Sequence, residues 1–100
     1  MDTSLSDKER LIAAFCVTES DDDIQDFLAD LFTEKEMTMY EKRLKAACLL
    51  HEGATYSQIK SITGLSTAII ARISKQLKNK KSGSRRVIKL FSPDGNTYFD

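Results

Sequence analysis

The chain has 100 residues, the size of one domain, and its fifteen acidic and fifteen basic side chains leave no net charge. Two distant cysteines, a single histidine and the lack of any apolar run near the roughly 18 to 20 residues of a membrane helix argue against a disulfide framework, a metal centre and a membrane span. The acidic N-terminus lacks the plan of a signal peptide, so we expect a soluble, cytoplasmic protein without a metal or other cofactor.

Acidic and basic residues are concentrated in different parts of the chain. Residues 1–30 carry nine acids and two basic side chains, and residues 31–52 carry four of each sign. Residues 53–89, called the basic segment below, carry nine Lys and Arg side chains and no Asp or Glu. Because basic segments attract phosphate, this part of the chain is the candidate for contact with nucleic acid.

Two amphipathic helices are predicted for the acidic part. Ser6 and Glu9 have the spacing of a capping box, which predicts a first helix over about residues 6–18. Ser20 opens a second helix, and the three Asp residues that follow suit the positive end of the helix dipole better than a metal site. Apolar residues then recur at helical spacing, at Ile24, Phe27, Leu28, Leu31 and Phe32.

A long third helix is predicted between Thr33 and Gly53. Thr33 and Glu36 form another capping box, and Gly53 ends the helix at about residue 52. Its apolar residues surround much of the cylinder: Met37, Met39, Tyr40, Leu44, Ala46, Ala47, Cys48, Leu49 and Leu50. A helix of this kind is covered on more than one side, which in so small a chain indicates a dimer core.

Residues 55–79 have the layout of a helix-turn-helix. Thr55 and Gln58 fit a capping box, Ser66 can cap the second helix, and Gly64 between them can adopt the left-handed backbone that a tight turn requires. We assign four apolar residues to the packing between the two helices: Ile59, Leu65, Ile70 and Ile73.

The second helix of this motif is predicted to expose small and basic side chains. Small side chains let a helix lie deep in the major groove, and hydroxyl and ammonium groups reach base edges and phosphates. The predicted DNA-binding residues are Ser57, Lys60, Ser66, Thr67, Ala68, Ala71, Arg72, Ser74, Lys75 and Lys78. Lys60 departs from the usual motif, which has a small residue there. The alternative is an ordinary helical hairpin, but a solvated surface normally mixes both signs of charge.

Residues 80–100 are predicted as a basic linker and C-terminal tail outside a helical domain of residues 1–79. The stretch KNKKSGSRR reads as the linker. Beyond it VIKLF alternates weakly, and PDG gives a turn signal before NTYF. A short β-hairpin and a mobile tail are the two alternatives, since an isolated hairpin is marginal in water.

Residues 26–79 resemble the Trp repressor superfamily, and within it the YerC/YecD-type branch, across the pattern LFT…E…RL…A..L.EG.TY..I...TG.S.A.I.R. The resemblance covers about half of the chain. It implies an all-α fold, a Trp repressor-like helical bundle that forms an intertwined homodimer. It also implies a repressor-like, sequence-specific regulator that presents one helix-turn-helix per subunit to double-stranded DNA.

The resemblance also implies an effector pocket, from which this chain departs. Arg43 and Arg72 match the two arginines that flank bound tryptophan in the Trp repressor, and Thr33 matches a threonine that contacts the ligand. Ile73 replaces a glycine and Gln76 replaces a serine. Because a β-branched side chain fills space that the indole ring needs, we expect no tryptophan binding, with both arginines structural or facing phosphate.

The sequence is therefore compatible with two functions. One is the DNA-binding regulator, and the other is an interaction module whose acidic helices bind a protein while the motif serves as scaffold. An enzyme is the poorest class, because His51 is the one histidine and neither a nucleophile with a base nor a Gly-rich phosphate loop is present.

Overall fold

The computed structural model describes residues 4–91, and every regular element in that range is an α-helix. The six helices are α1 (Asp7–Cys16), α2 (Asp21–Leu31), α3 (Glu34–His51), α4 (Tyr56–Thr63), α5 (Thr67–Lys78) and α6 (Gly83–Phe91). The predicted all-α class is confirmed. None of these helices is long and apolar enough to cross a membrane.

The chain divides into two compact units, Met1–Met37 and Thr38–Asp100, so the boundary falls near the start of α3. In the first unit the predicted caps are present. The Ser6 hydroxyl accepts the Glu9 N–H and the Glu9 carboxylate accepts the Ser6 N–H, both at 3.1 Å. The Ser20 hydroxyl accepts the Asp23 N–H at 3.1 Å and starts α2.

The first unit packs its two helices loosely. Phe15 and Phe27 meet edge to face, with ring centroids 5.3 Å apart, yet no residue of α1 or α2 is buried. Ile12 is 53% exposed and Leu31 is 43% exposed. Ile24, Phe27 and Leu28 are half-buried, so the apolar side of α2 is only partly covered.

The helix α3 begins at a capping box and ends at a glycine, as predicted. Glu36 and Thr33 exchange two hydrogen bonds, from the Glu36 N–H to the Thr33 hydroxyl at 3.1 Å and from the Thr33 N–H to the Glu36 carboxylate at 3.0 Å. Gly53 follows with φ of 90°. The C-terminal half of α3 is buried from Ala46 to His51 on one face, whereas Met39, Tyr40 and Leu44 remain exposed.

The core of the second unit is built by α3, the α4–α5 pair and α6. Its buried apolar residues are Ala46, Ala47, Leu50, Ile59, Leu65, Ile70, Ile73, Leu77 and Ile88. Burial of aliphatic side chains at about 25 cal/mol per Å² is the main stabilising term for such a core. This core fixes the position of the helix-turn-helix.

The helix α6 corrects the prediction for residues 83–91. We expected a linker followed by either a short hairpin or a mobile tail, whereas Gly83–Phe91 form a helix, so the expectation is wrong for this stretch. The Ser82 hydroxyl accepts the Arg85 N–H at 3.1 Å, which caps a helix, and Ile88 then enters the core with 1% of its surface exposed. The predicted PDG turn and NTYF strand lie outside the described residues.

Candidate nucleic-acid interface

The first helix of the motif begins and ends where the sequence predicts. The Thr55 hydroxyl accepts the Gln58 N–H at 3.1 Å, and the Gln58 side-chain oxygen accepts the Thr55 N–H at 2.9 Å. At the other end Gly64 has φ of 74° and ψ of 4°, and its N–H donates to the Lys60 carbonyl at 2.8 Å. The left-handed C-cap is therefore observed.

A buried threonine holds the turn between the two helices. The Thr63 hydroxyl donates to the Ile59 carbonyl at 2.7 Å and accepts the Leu65 N–H at 3.2 Å. The Ser66 hydroxyl then accepts the Ile69 N–H at 3.2 Å and caps α5. Both hydroxyls satisfy backbone groups that would otherwise be unpaired at a helix end, so the angle between α4 and α5 is set locally.

The burial pattern confirms the predicted packing of the motif. The four residues assigned to the interface between the helices, Ile59, Leu65, Ile70 and Ile73, are all buried. Nine of the ten predicted DNA-binding residues are exposed: Ser57, Lys60, Ser66, Thr67, Ala68, Ala71, Arg72, Lys75 and Lys78.

Ser74 is the exception, because it is 4% exposed and cannot belong to an outer face. It follows Ile70 by four residues and precedes Leu77 by three, so it borders the buried side of α5. The sequence pattern grouped it instead with Thr67 and Lys78, which lie at the two ends of the helix, where the core does not cover them. The prediction of an exposed Ser74 is wrong.

The exposed face of α5 is cationic toward its C-terminal end. No carboxylate of residues 4–91 pairs with Lys60, Lys75 or Lys78, and the ion pair recorded within that range, Arg10 with Asp7, lies in α1. Within the described residues, the charge of these three lysines is therefore not compensated by an ion pair, so it can attract an anion from solution.

Three helices of the second unit enclose a cavity of about 260 Å³ beside α5. It is lined by Arg43, Leu44, Ala47, Ile69, Arg72, Ile73, Gln76 and Ser84. The fold thus brings together four of the residues that the resemblance associated with the effector pocket, and α6 adds Ser84. Ser84 was missed because its helix was not predicted. Thr33 lies in the other unit, where its hydroxyl caps α3.

The remaining reactive groups form no second site in the described residues. Burial raises the pKa of the Cys48 thiol, and the nearby Glu52 carboxylate raises it further, so the thiol stays protonated and weakly nucleophilic. His51 lies in the core of the second unit with 1% of its surface exposed. Across residues 4–91 no group of three or more His, Cys, Asp or Glu could hold a metal ion.

The family model described as Trp repressor protein matches residues 7–91, nearly the whole of the described range. The chain belongs to the Trp repressor family. The resemblance drawn from residues 26–79 is therefore confirmed, and α6 falls within the matched region. Members of this family are helix-turn-helix regulators rather than enzymes.

The resemblance to the YerC-type branch is supported by a curated relative. The uncharacterized protein YerC of Bacillus subtilis (strain 168) is 43% identical over 51 residues, which is 51% of this chain and 49% of YerC. The chain thus spans about half the length of the curated relative that it matches. No solved structure matches the chain significantly.

This chain departs from the family pattern on the α5 side of the cavity. Ile73 lines the cavity and also belongs to the buried core, where side chains are closely packed. Gln76 lines the same cavity. The two arginines remain exposed at the rim, where a guanidinium can bind an anion or stay solvated.

Proposed function

We propose that this Trp repressor family protein is a cytoplasmic, repressor-like transcriptional regulator that binds specific double-stranded DNA sites as a homodimer. The observation that carries the proposal is the outer face of α5, which is small at its start and cationic at its end, within a basic segment that contains no acid. That distribution matches the two tasks of a recognition helix, reading base edges and binding phosphates.

The start of α5 is suited to the floor of the major groove. Thr67, Ala68 and Ala71 are exposed and short, so the helix backbone can approach base edges closely. The Thr67 hydroxyl can donate to or accept from a base, and the alanine methyl groups can pack on a thymine methyl group. We therefore assign sequence discrimination to this end of the helix.

The cations lie further along the motif and suit the DNA backbone. Lys75 and Lys78 follow the reading residues on α5, and Ser57 and Lys60 lie on the exposed side of α4. In helix-turn-helix proteins the first helix crosses the backbone while the second enters the groove. Arg72 lies at the rim of the cavity and is assigned to a phosphate or to the structure.

The homodimer is proposed from the uncovered apolar surface of the first unit. No residue of α1 or α2 is buried, and Leu11, Ile12 and Val17 are exposed. A second copy that covers this surface would remove it from water and supply the missing core. A two-fold dimer would also present two α5 helices to half-sites about 34–36 Å apart.

A mobility shift series at several salt concentrations tests the proposed function. A DNA-binding regulator should lose affinity steeply as salt rises, with a slope near 0.9 for each phosphate contact. Replacing Thr67 with Ala should cost on the order of 1–3 kcal/mol on a site selected from random duplexes and little on random DNA. Replacing Lys78 with Ala should weaken binding to all duplexes alike.

Two results would contradict this assignment. If no duplex is retained even at low salt, the protein is not a DNA-binding regulator. If Lys78→Ala changes the sequence preference while Thr67→Ala leaves it intact, α5 docks in another orientation and the reading face is wrongly assigned.

The second candidate is an interaction module that uses the same fold without binding DNA. It is favoured by α2, which exposes five aspartates and has no basic residue. In that case the acidic helix would bind a basic protein surface, and the duplex would not be retained in the mobility shift series. The acid-free basic segment favours the regulator.

A further inference from the structure

The chain that follows the recognition helix is a defined turn with a fixed geometry. The Asn79 side-chain oxygen accepts the Lys81 N–H at 2.9 Å, and the Asn79 carbonyl accepts the Ser82 N–H at 3.0 Å. The Ser82 cap of α6 follows directly, and Ile88 anchors that helix in the core. Residues 79–82 are therefore held in place beside the end of α5.

This turn and the first part of α6 present three exposed cations, Lys80, Lys81 and Arg86, which we call the post-helix cluster. The Arg86 guanidinium donates to the Lys81 carbonyl at 3.1 Å, so it lies over the turn. No carboxylate of residues 4–91 pairs with Lys80 or Lys81. The cluster thus has a hydrogen-bonded backbone, and its lysines have no carboxylate partner within residues 4–91.

The length of α5 places the cluster outside the groove in which the helix would read bases. From Ala68 to Lys78 the helix rises about 15 Å at about 1.5 Å per residue. The major groove is about 8.5 Å deep. If the first turn of α5 touches base edges, the end of the helix and the turn after it lie at the level of the sugar-phosphate backbone.

We propose that the post-helix cluster is a second DNA-binding surface, which holds backbone phosphates beside the half-site that α5 reads. The inference rests on the proposed function, because it needs α5 to enter the groove. Lysine and arginine recognise phosphate by charge, so this surface adds affinity without sequence preference. The hydrogen-bonded turn positions the cations before DNA arrives, which reduces the entropy lost on binding.

The experiment compares salt dependence among four forms of the full chain, all measured on one duplex. The forms are the wild type, Lys80→Ala with Lys81→Ala, Lys80→Arg with Lys81→Arg, and the control Lys35→Ala with Lys42→Ala. The control removes the same charge from two exposed lysines of α3. Circular dichroism and melting temperature verify that each variant is folded.

The proposal predicts that the alanine pair in the cluster lowers the slope of log K against log salt by about 0.9 for each lost phosphate contact, hence about 1.8 for each bound protomer. The arginine pair should keep the wild-type slope, because a phosphate contact needs the charge and not the lysine. The control pair should also keep it. Random duplexes should be weakened as much as a selected site.

The outcomes separate this inference from the proposed function. If the wild type binds with a steep slope and the cluster alanine pair leaves that slope unchanged, the cluster does not contact phosphate and the inference fails alone. If that pair changes the sequence preference, the cluster reads bases and the inference is also wrong. If the wild type retains no duplex at any salt concentration, the proposed function fails and the inference fails with it.

Discussion

Gly64 offers the sharpest test of how the motif is built, because its replacement by alanine strains the backbone of the turn without creating a steric clash. Its φ of 74° lies in the left-handed region, which alanine enters only at a cost. A Cβ placed at Gly64 would have no atom within 4 Å, so no steric clash adds to that cost. The substitution therefore acts through backbone conformation alone, in the folded turn between α4 and α5 and in the unfolded chain.

The expected loss of stability is the difference between two opposing effects. A left-handed conformation costs an L-residue roughly 1–2 kcal/mol, and the smaller entropy of the unfolded alanine chain offsets about 0.4–1 kcal/mol of that cost, so Gly64→Ala should lower the free energy of unfolding by about 1 kcal/mol. For a domain of this size, each kcal/mol corresponds to a fall in melting temperature of roughly 4–8 °C. Gly64→Asn should lose less, because asparagine tolerates the left-handed region better than alanine.

Gly83 provides the matched control for this measurement. It is the first residue of α6, its φ is not positive, and a Cβ there would meet only Arg86 Nη2 at 3.8 Å. Gly83→Ala should therefore stabilise the protein by about 0.4–1 kcal/mol, through the smaller entropy of the unfolded chain. Thermal unfolding of both variants at one protein concentration measures the expected loss of stability for Gly64→Ala and the expected gain for Gly83→Ala. Equal effects at the two positions would refute the argument.

Three further predictions test other parts of the molecule. Millimolar tryptophan should change neither the melting temperature nor the DNA affinity, because Ile73 stands where the resemblance places a glycine that leaves room for the ring; a saturable rise would contradict this by mass action. Sedimentation equilibrium at micromolar concentration should give a dimer, and a folded monomer would contradict it. Hydrogen bonds from the Thr33 backbone and hydroxyl lower the pKa of Glu36, so the charged form stabilises α3 above the unfolded pKa, and this stabilisation is lost as pH falls through the folded pKa. When the pH is lowered from about 6 to about 3, which is below the usual pKa range of glutamate, the melting temperature should therefore fall less for Glu36→Gln than for the wild type. Equal falls would exclude the effect.

The helix boundaries could be predicted because their causes are local. A hydroxyl at Ser6, Ser20, Thr33, Thr55 or Ser66 meets an N–H group three residues later in each case. Such contacts depend on a few neighbouring residues and hardly on the rest of the fold. The turn at Gly64 is predictable for the same reason.

The helix α6 was missed because its stabilising contact is not local. Residues 80–86, in which α6 begins, contain Ser, Gly and four cations, a composition typical of a linker. The burial of Ile88 against residues of α3 and α5 decides the conformation, and a short amphipathic helix gains most of its stability from such packing. The Ser82 cap was present in the sequence but was read as part of the linker.

Burial within the motif was predicted well where side-chain size decides the outcome and less well where helix rotation does. The isoleucines Ile59, Ile70 and Ile73 must be buried wherever the helices cross, and they are. A small polar residue at the border of two faces carries no such preference. How far such a residue is buried depends on the elements that pack beside it, and these elements cannot be identified from the local sequence.

The burial of Ser74 at this border provides a test of how α5 is oriented on DNA. With 4% of its surface exposed, it cannot reach a base unless α5 rotates or leaves the core. Ser74→Ala should therefore keep the affinity for a selected site within about twofold, whereas Thr67→Ala on the exposed start of the helix should cost on the order of 1–3 kcal/mol. The melting temperature of each variant controls for folding. If Ser74→Ala weakens specific binding as much as Thr67→Ala at unchanged melting temperature, α5 changes its packing in the complex, and the face that reads DNA differs from the one exposed in the free protein.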